Sequence, residues 1–441
     1  MELEAKIERL SHLLKKRSIN DFEIYGTASD TIRAESKDYA MGSLNRSRES
    51  GLAIRVLLDD AMGFAYGADP TNELVEAALT SAKYQFKDPN NRLPDRQEGY
   101  AGLDIHDPAL EGLSAEECIE RAVSLERAAR EADSRIQHVR KASFSRTVSR
   151  VSVLNSHGVQ ASTLLSMSSA SIMVVAREGD VSQTGYEFGF GHHLADVDIG
   201  LVGSQAAKRA TDMLRARRIQ TMKAPVLFDN ATTAQMLEFI SDAFIGENVI
   251  KGKSFLADKL GRTYFSGNVT LIDNPLDSRA ADACPFDGEG VSSRRTILVD
   301  RGTIFAFVYD SYWGAVAGKP STGNSVRGGY RSMPSSGVRH LCMEPGREDM
   351  SRNLKEFKKV LKVTDIMGMH TANPITGEFS VGVSGMLIEE GEPVYPVREA
   401  AVSGNIYELF TRVIAIGTDV REFGEVLCPS VLIDAVDVSA Q

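Results

Sequence analysis

The chain has 441 residues, and at roughly 100–200 residues per domain this length predicts two or three domains. Apolar residues make up 42% of the chain and charged residues 25%, which excludes a disordered chain, a collagen and a disulfide-rich miniprotein. The formal net charge of −10 gives no support to nucleic-acid binding, and no apolar run approaches the roughly 18 residues of a membrane span.

The first half of the chain is predicted to combine helices with antiparallel strands. Asp69 and Pro70 are suitable as a helix cap and a first helical residue, and Ser114 with Glu117 has the pattern of a capping box. Helices are therefore predicted at residues 1–18, 69–85, 114–133 and 198–217. Runs rich in β-branched, serine and aromatic residues predict strands at 21–28, 31–41, 51–58, 62–66, 136–154, 159–176 and 181–190.

The second half has a different pattern, with one helix followed by short strands and glycine-rich turns. Its predicted elements are a strand at 225–228, a helix at 232–249 and later strands that include 296–309, 380–388 and 394–402. A boundary near residues 218–224 predicts an N-terminal domain at 1–220 and a C-terminal domain at 221–441. The predicted fold class is α+β, with an N-terminal domain of helices packed on an antiparallel sheet and a β-rich C-terminal domain.

The four cysteines, Cys118, Cys284, Cys342 and Cys428, are scattered without a paired spacing. This pattern is typical of reduced thiols rather than of a disulfide framework. The first residues have neither the basic start nor the apolar block of a secretory signal. Together these features predict a cytoplasmic protein.

Three short motifs resemble known binding sites, and each is better explained as ordinary structure. Residues 252–254 (Gly-Lys-Ser) lack the first glycine of a phosphate loop, and residues 189–191 (Gly-Phe-Gly) lack the third glycine of a dinucleotide fingerprint. His192 and His193 are neighbours whose side chains point apart on a regular element, so we expect a solvated loop pair rather than a metal site.

His340 and Cys342 lie on one face of a predicted strand, as a thiol nucleophile and its base require. The sequence offers no residue to orient the imidazole, and residues 338–343 have the pattern of an ordinary strand, so we interpret the pair as structural. A zincin motif is also missing, because none of the eight histidines is followed by glutamate.

Two late segments, residues 284–291 and residues 368–381 with their continuation to 405, are rich in glycine and asparagine. Loops of this kind are where binding clefts are often built, but they also serve as plain turns between strands. From the residues alone, a functional role and a structural role are equally supported.

The same segments resemble a known family. Residues 285–290 (Pro-Phe-Asp-Gly-Glu-Gly), 368–374 (Gly-Met-His-Thr-Ala-Asn-Pro) and 397–400 (Val-Arg-Glu-Ala) with 404–405 (Gly-Asn) closely resemble the TldD/PmbA family, in its PmbA (TldE) branch. Their order and spacing fit across nearly the whole chain. The resemblance implies a subunit of a cytoplasmic heterodimeric metalloprotease that degrades peptides or unfolded proteins and matures small modified peptides.

In that family the TldD subunit carries a His-Glu-x-x-x-His helix and a distant cysteine as zinc ligands. The matching positions here are Leu237 and Asp242 for the histidines, Glu238 for the glutamate and Asp419 near the cysteine. Leucine cannot ligate a metal, and carboxylates alone favour harder ions than zinc. The resemblance therefore implies a chain that is inactive alone and holds no metal or other cofactor, with the zinc on the partner. Glu238, Asp242 and Asp419 are candidates for a degenerate site.

The resemblance also implies partners and substrate contacts. We expect a heterodimer with a TldD-like paralogue, a homodimer when the chain is alone, and a peptide substrate, but no direct nucleic-acid or membrane contact. The residues expected to border the substrate cleft are His370, Asn373, Arg398 and Asn405. Two alternatives stay open: an independent hydrolase that uses the degenerate-site residues or His370 with another metal, and a non-enzymatic regulator linked to DNA gyrase.

Overall fold

A computed structural model describes residues 2–347 and 349–440 of the chain. It confirms the α+β class, because the first half folds as helices on a six-stranded antiparallel sheet and the second half is rich in strands. Met1, where the first predicted helix begins, lies outside the described residues. The predicted division at residue 220 falls between the last helix of the first half and the first strand of the second, and it stays a prediction.

The first sheet consists of two similar halves that meet at a central strand pair. Its strands are Phe22–Lys37 (β1), Ala40–Leu58 (β2), Ala61–Gly67 (β3), Ile136–Asn155 (β4), Gln160–Glu178 (β5) and Val181–Gly191 (β6). The helices of this region are Glu2–Lys16 (α1), Asn72–Lys83 (α2), Pro108–Gly112 (α3), Ala115–Ala132 (α4) and Ile199–Asp212 (α5). The strand order β3-β2-β1-β4-β5-β6 places a three-stranded meander on each side of the β1–β4 pair.

Helices α2 and α5 lie unusually close to the sheet, each above a glycine. A Cβ atom at Gly63 would lie 2.2 Å from the carbonyl oxygen of Ala78, and one at Gly185 would lie 2.1 Å from that of Ala206. Real Cβ atoms do not approach backbone this closely, so any larger residue would push the helix away. The two glycines therefore allow the apolar helix faces to be buried.

The helix starts follow from local capping chemistry. The predicted capping box is confirmed, because the Glu117 N–H donates to Ser114 Oγ at 3.2 Å and the Ser114 N–H donates to Glu117 Oε2 at 2.8 Å. Helix α2 begins later than predicted because Thr71, not Asp69, is its cap and accepts a hydrogen bond from the Leu74 N–H. Either residue type can cap a helix, so the sequence did not distinguish them.

The second half contains two further six-stranded sheets and a short strand pair. The second sheet contains Leu271–Asp273 (β8), Thr296–Asp300 (β9), Thr303–Ile304 (β10), Leu341–Met343 (β13), Arg421–Glu422 (β18) and Val426–Cys428 (β19). The third contains Met222–Phe228 (β7), Lys359–Met367 (β14), Glu378–Glu389 (β15), Glu392–Asn405 (β16), Val413–Ile416 (β17) and Val431–Ala440 (β20). The pair is Ser325–Val326 (β11) and Ser335–Ser336 (β12). Because β16 pairs with both β15 and β20, five strands of the third sheet close into a ring.

The helices of the second half are short. They are Asn230–Ser241 (α6), Gly246–Ile250 (α7), Ser311–Val316 (α8), Met350–Leu354 (α9) and Ile406–Thr411 (α10). Turns of 3₁₀ helix lie at Leu194–Asp196, Asp242–Phe244 and Met369–Thr371. The single helix predicted at 232–249 is wrong, because Ile245 has an extended backbone between α6 and α7. Ser254 anchors this break by donating to the carbonyl oxygen of Ala243 at 2.6 Å.

One histidine differs from its predicted environment. His192 is buried, and its ring nitrogens lie 2.7 Å from the carbonyl oxygen of Ser166 and 2.8 Å from that of Ala280. It therefore connects the first sheet to the loop that follows β8, and the expectation of a solvated pair is wrong for this residue. His193 lies nearer the surface beside Asp104.

Candidate functional site

A cleft of about 990 Å³ lies between the first and third sheets. One wall is strand β6 with helix α5, the other is helix α6 with the face of β14 and β15, and residues of the 421–423 segment complete it. This volume is within the range of ligand-binding sites. Charged residues that line it include Glu187, Arg209, Glu238, Asp365, Arg398 and Arg421.

Arg421 and Glu187 join the two walls of the cleft. Arg421 contacts both carboxylate oxygens of Glu187 and donates to the carbonyl oxygen of Phe188 at 3.0 Å. Arg209 donates to the same carboxylate at 3.0 Å. Burial opposes ionisation of Glu187, but the hydrogen bonds from Arg421 and the Phe188 N–H outweigh it and lower the pKa of this carboxyl. The guanidinium of Arg421 also lies over the rings of Phe188 and Phe423, at 5.4 and 5.1 Å.

Two carboxyl groups in the cleft have the opposite shift. Burial raises the pKa of Asp365, and the neighbouring Asp229 raises it further. Burial also raises the pKa of Glu238, with added repulsion from Glu425 and Asp242. A carboxyl that keeps its proton to higher pH can donate a hydrogen bond to a peptide carbonyl.

Helix α6 contains the positions that the resemblance matches to a zinc-binding helix, and its residues do not fit a zinc ion. Leu237 is fully buried in the core and has no donor atom, whereas Glu238 is exposed on the cleft side. Asp242 lies just after α6 ends, and partial burial of its carboxyl raises its pKa. A leucine and a carboxylate therefore stand at the two positions where zinc would need imidazoles.

Asp419 lies at the opposite end of α6. Its backbone oxygen accepts a hydrogen bond from Asn230 Nδ2 at 3.1 Å, and its Oδ1 accepts from the N–H and hydroxyl of Ser430. Glu238 is eight residues further along the helix, which is about 12 Å at 1.5 Å per residue. The structure thus brings Glu238 and Asp242 together but holds Asp419 apart from them.

Three of the four predicted cleft residues lie on or beside the 368–378 loop, and none of these three lines the cleft. Asn373 Oδ1 accepts from the N–H groups of Ile375 and Thr376, which forms a local turn. Asn405 caps α10 and donates to the carbonyl oxygen of Thr376 at 2.6 Å. His370 is exposed.

Arg398 is the fourth, and it does line the cleft. Its guanidinium lies 3.1 Å from the carboxylate of Glu399, which in turn binds Arg218. Sequence reasoning missed other charged residues of the cleft, among them Glu187, Arg209, Asp365 and Arg421. They occupy four separate elements, and no local motif connects them.

The glycine-rich segment 284–291 packs into the joint between the two halves. Glu289 is buried and accepts from Arg55 of β2 at 2.8 Å and from the Ser311 N–H at 2.9 Å. Asp287 accepts from the N–H groups of Glu289, Val291 and Ser325. Burial raises the pKa of Asp287 to about 7, and the adjacent Glu289 carboxylate adds to the shift. This segment therefore has a structural role.

A second cluster of chemically active side chains lies under the 421–423 segment. His340 Nδ1 is 3.4 Å from Cys342 Sγ, and His340 Nε2 is 2.8 Å from Glu422 Oε2. The conclusion that nothing orients this imidazole is wrong, since Glu422 does so from a distant part of the chain. Burial disfavours the charged imidazole, but the contacts with Cys342 and Glu422 outweigh it and raise the pKa of His340 to about 11.

Most of the residues that line the cleft are polar or charged. The described lining contains no histidine and no cysteine, so neither a cysteine nucleophile nor a histidine base is present there. Within the described ranges, one group of His, Cys, Asp or Glu donors is close enough to share a metal ion, and it lies outside the cleft lining. No helix in the part of the chain that the structure describes is long and apolar enough to span a membrane.

Three family models match consecutive parts of the chain. They describe the PmbA/TldA metallopeptidase domain 1 at residues 22–82, the central domain at residues 108–214 and the C-terminal domain at residues 221–440. The metalloprotease PmbA of Escherichia coli O157:H7 is 29% identical over 401 residues, which cover 89% of this chain and 86% of that protein.

Two solved structures have the same fold. A proposed modulator of a DNA gyrase from Thermotoga maritima matches with a TM-score of 0.91 and 24% identity over 99% of this chain and 100% of that one. TldE from Thermococcus kodakarensis matches with a TM-score of 0.90 and 23% identity over 98% of this chain and 100% of that one.

Proposed function

The chain belongs to the PmbA/TldD family of metallopeptidases, and from this premise we propose that it is the PmbA/TldE-like subunit of a cytoplasmic TldD–TldE-type complex. In this proposal the complex cleaves peptides or unfolded proteins. The chain is inactive alone and forms a heterodimer with a TldD-like paralogue, which supplies the zinc. Without that partner it forms a homodimer.

The observation that carries the proposal is the lack of suitable metal ligands on and around helix α6. Leu237, which the resemblance matches to a histidine ligand, is buried in the core, and Asp419 lies at the wrong end of the helix to complete a site with Glu238. The adjacent cleft nevertheless has charged groups of both signs along its walls. A subunit with such a cleft and without metal ligands on α6 is suited to hold and shape substrate for a metal on another chain.

The proposed substrate contacts come from two places. Arg398 lines the cleft and offers a cation to a peptide carboxylate or carbonyl. His370, Asn373 and Asn405 are proposed to border the path of the peptide through the shape of their loop, because the side chains of Asn373 and Asn405 already form hydrogen bonds within it.

A partner is supported by an open strand edge in the first sheet. Strand β3 pairs with β2 only over Leu52–Leu58 of the longer strand. In the described part of the chain, no strand pairs with the outer edge of residues 40–50, which are mostly exposed. An edge of this length is normally covered or blunted, and another subunit is one way to cover it.

Reconstitution tests the proposal. The chain and a TldD-like paralogue from the same organism are purified separately, mixed, and analysed by size exclusion with light scattering and by peptide hydrolysis. We expect a heterodimer, and hydrolysis well above that of either subunit. Two species that do not associate, with no rise in hydrolysis, would contradict the partner role.

The independent-hydrolase alternative is tested on the isolated chain. Peptide cleavage without a partner, lost in both Glu238→Gln and Asp242→Asn, would favour that alternative. Asp59→Asn is the matched control, because Asp59 is exposed and remote from the cleft lining. The proposal expects no cleavage by any of these chains.

The gyrase-linked alternative rests on the description of the Thermotoga maritima protein. A regulator that contacts DNA directly would bind duplex DNA with a strong dependence on salt concentration. The net charge of −10 argues against such binding. A duplex-binding titration at low and high salt distinguishes the two functions.

A further inference from the structure

A trio of mixed metal-ligand types lies outside α6 and outside the cleft lining. One donor atom each from Asp277, His340 and Cys342 falls within 4.8 Å of the other two. His340 and Cys342 flank Leu341, so alternation along the strand places both on one face. Asp277 comes from the turn after β8, which pairs antiparallel with β13. The pairing of these two short strands therefore assembles the trio.

The spacing of the donors fits a metal ion. In a tetrahedral zinc site, with Zn–N of about 2.05 Å and Zn–S of about 2.3 Å, the nitrogen and sulfur are about 3.6 Å apart. His340 Nδ1 and Cys342 Sγ are 3.4 Å apart. We propose that Asp277, His340 and Cys342 form a binding site for a Zn²⁺-type divalent transition-metal ion in this chain.

The surroundings of His340 are those of a metal ligand. Metal-ligating histidines donate their other ring N–H to a carboxylate or carbonyl, which fixes the tautomer and turns the free nitrogen toward the ion. Glu422 Oε2 is 2.8 Å from His340 Nε2, which directs Nδ1 toward Cys342. The carbonyl oxygen of Asn274 is 3.1 Å from Nδ1. Either this oxygen or a water molecule can occupy the fourth position.

The carboxylate of Asp277 keeps an open ligand position. Arg279 donates to both of its oxygens through the side chain, at 2.9 and 2.6 Å, and the Arg279 backbone N–H donates to Oδ1 at 3.1 Å. A carboxylate has about four lone-pair positions, so a position on Oδ2 remains open to a metal ion.

The site has a structural consequence for the cleft. Glu422 lies between Arg421 and Phe423, and both of these line the cleft. A metal that orders His340 therefore also orders Glu422, and with it the 421–423 segment. The expectation that this chain holds no metal rested on the residues matched to the zinc ligands of the family, and the proposed site uses other residues. The proposed metal site does not depend on the proposed partner role.

Cobalt substitution of the full-length isolated chain tests the site. The protein is stripped with a chelator, reduced with a phosphine and titrated with Co²⁺. We expect one equivalent to produce visible bands of tetrahedral Co²⁺ and a near-ultraviolet thiolate-to-cobalt band, both removed by Zn²⁺. Cys342→Ser should abolish the thiolate band. Glu422→Gln should keep the band but weaken binding by about 10–100-fold.

Matched variants exclude a non-specific effect. Cys118→Ser removes another buried thiol, and Asp242→Asn removes the carboxylate that directly follows α6. Both variants should bind Co²⁺ as the natural chain does. If Cys342→Ser fails to fold by circular dichroism, Asp277→Asn and His340→Asn are compared instead. Each should weaken binding at least about 10-fold while the thiolate band persists. No thiolate band at saturating Co²⁺, a band that survives in folded Cys342→Ser, or full affinity in both other variants would overturn the site.

Discussion

Arg55 of the first sheet donates to Glu289 of the glycine-rich loop at 2.8 Å, and both side chains are almost completely buried. The same guanidinium binds Glu23 of β1 at 3.0 Å through Nε. Arg327 of the second half also contacts Glu23, so two carboxylates and two guanidinium groups form one alternating network. Burial opposes ionisation of Glu23, but Arg55 and Arg327 outweigh it and lower the pKa of this carboxyl. The two halves are therefore joined by charges that have no access to water.

Removing one member of this network is expected to be costly. Glu289→Gln leaves Arg55 with one fewer carboxylate in a dry environment, and we expect the free energy of unfolding to fall by about 3 kcal/mol. Urea denaturation measures this change. The control is Glu49→Gln, because Glu49 pairs with Arg331 at 2.9 Å on the surface and should change stability by less than about 1 kcal/mol. Equal losses in the two variants would contradict a buried-charge role for Glu289.

Asp310 should make stability depend on pH. Burial raises the pKa of this carboxyl to about 6, and the neighbouring Glu289 carboxylate adds to the shift. Between about pH 4 and pH 6 the folded chain keeps a proton that the unfolded chain releases, so stability decreases as pH rises. This group should contribute a loss of about 2–3 kcal/mol across that window. Asp310→Asn can still cap α8 and should not show this contribution.

The measurement is urea denaturation of both chains at several pH values. The stability of Asp310→Asn relative to the natural chain should rise between about pH 4 and pH 6 and then level off. Asp59→Asn, at a position whose side chain is 87% exposed, is the control and should differ from the natural chain by a constant amount. A constant difference for Asp310→Asn as well would show that its carboxyl is ionised throughout this range.

Arg421 is expected to control the width of the cleft. Arg421→Lys keeps the positive charge but loses the planar fork that spans Glu187 and Phe188 and the stacking on Phe423. In the reconstituted complex we expect KM for a peptide to rise by about 3–10-fold, with kcat changed by less than about twofold, because binding rather than chemistry is affected.

Steady-state kinetics with one peptide substrate check this expectation. Arg215→Lys is the matched control, since Arg215 binds Glu178 at 2.9 Å on the surface and does not line the cleft. The control should leave both constants unchanged. An unchanged KM for Arg421→Lys would mean that the peptide does not use this wall.

Asn405 is expected to act mainly through structure. Its side chain accepts from the N–H groups of Tyr407 and Glu408 and donates to the carbonyl oxygen of Thr376. Asn405→Ala should lower the free energy of unfolding by about 1–2 kcal/mol. Asn405→Asp should recover only part of this loss, because aspartate caps the helix but cannot donate to the carbonyl oxygen of Thr376.

Thermal or urea denaturation of the isolated chain provides the test. His370→Ala, in the same region but exposed, should change stability by less than about 0.5 kcal/mol. If Asn405→Ala is as stable as the natural chain but lowers hydrolysis by the complex, its role is in substrate contact instead.

Local chemistry made much of the fold readable from the sequence. The capping box of Ser114 and Glu117 is present as predicted, since both partners lie within one turn. The hairpin between residues 51–58 and 62–66 is also present, because a short turn fixes its register. The errors lie where two residues could serve equally, as with Asp69 and Thr71, or where packing interrupts a periodic pattern, as at Ile245.

The sequence by itself determined the class of the fold, the family and many of the helices and strands of the first half, because these depend on residue identity and short spacing. Only the tertiary structure decided which residues from distant parts of the chain come into contact. It put Glu422 against His340, and Arg421 against Glu187, over separations of 82 and 234 positions. Such contacts depend on strand order and sheet packing, which no local pattern encodes. For the same reason Asp419 and Glu238, both candidates for one degenerate site, lie at opposite ends of α6.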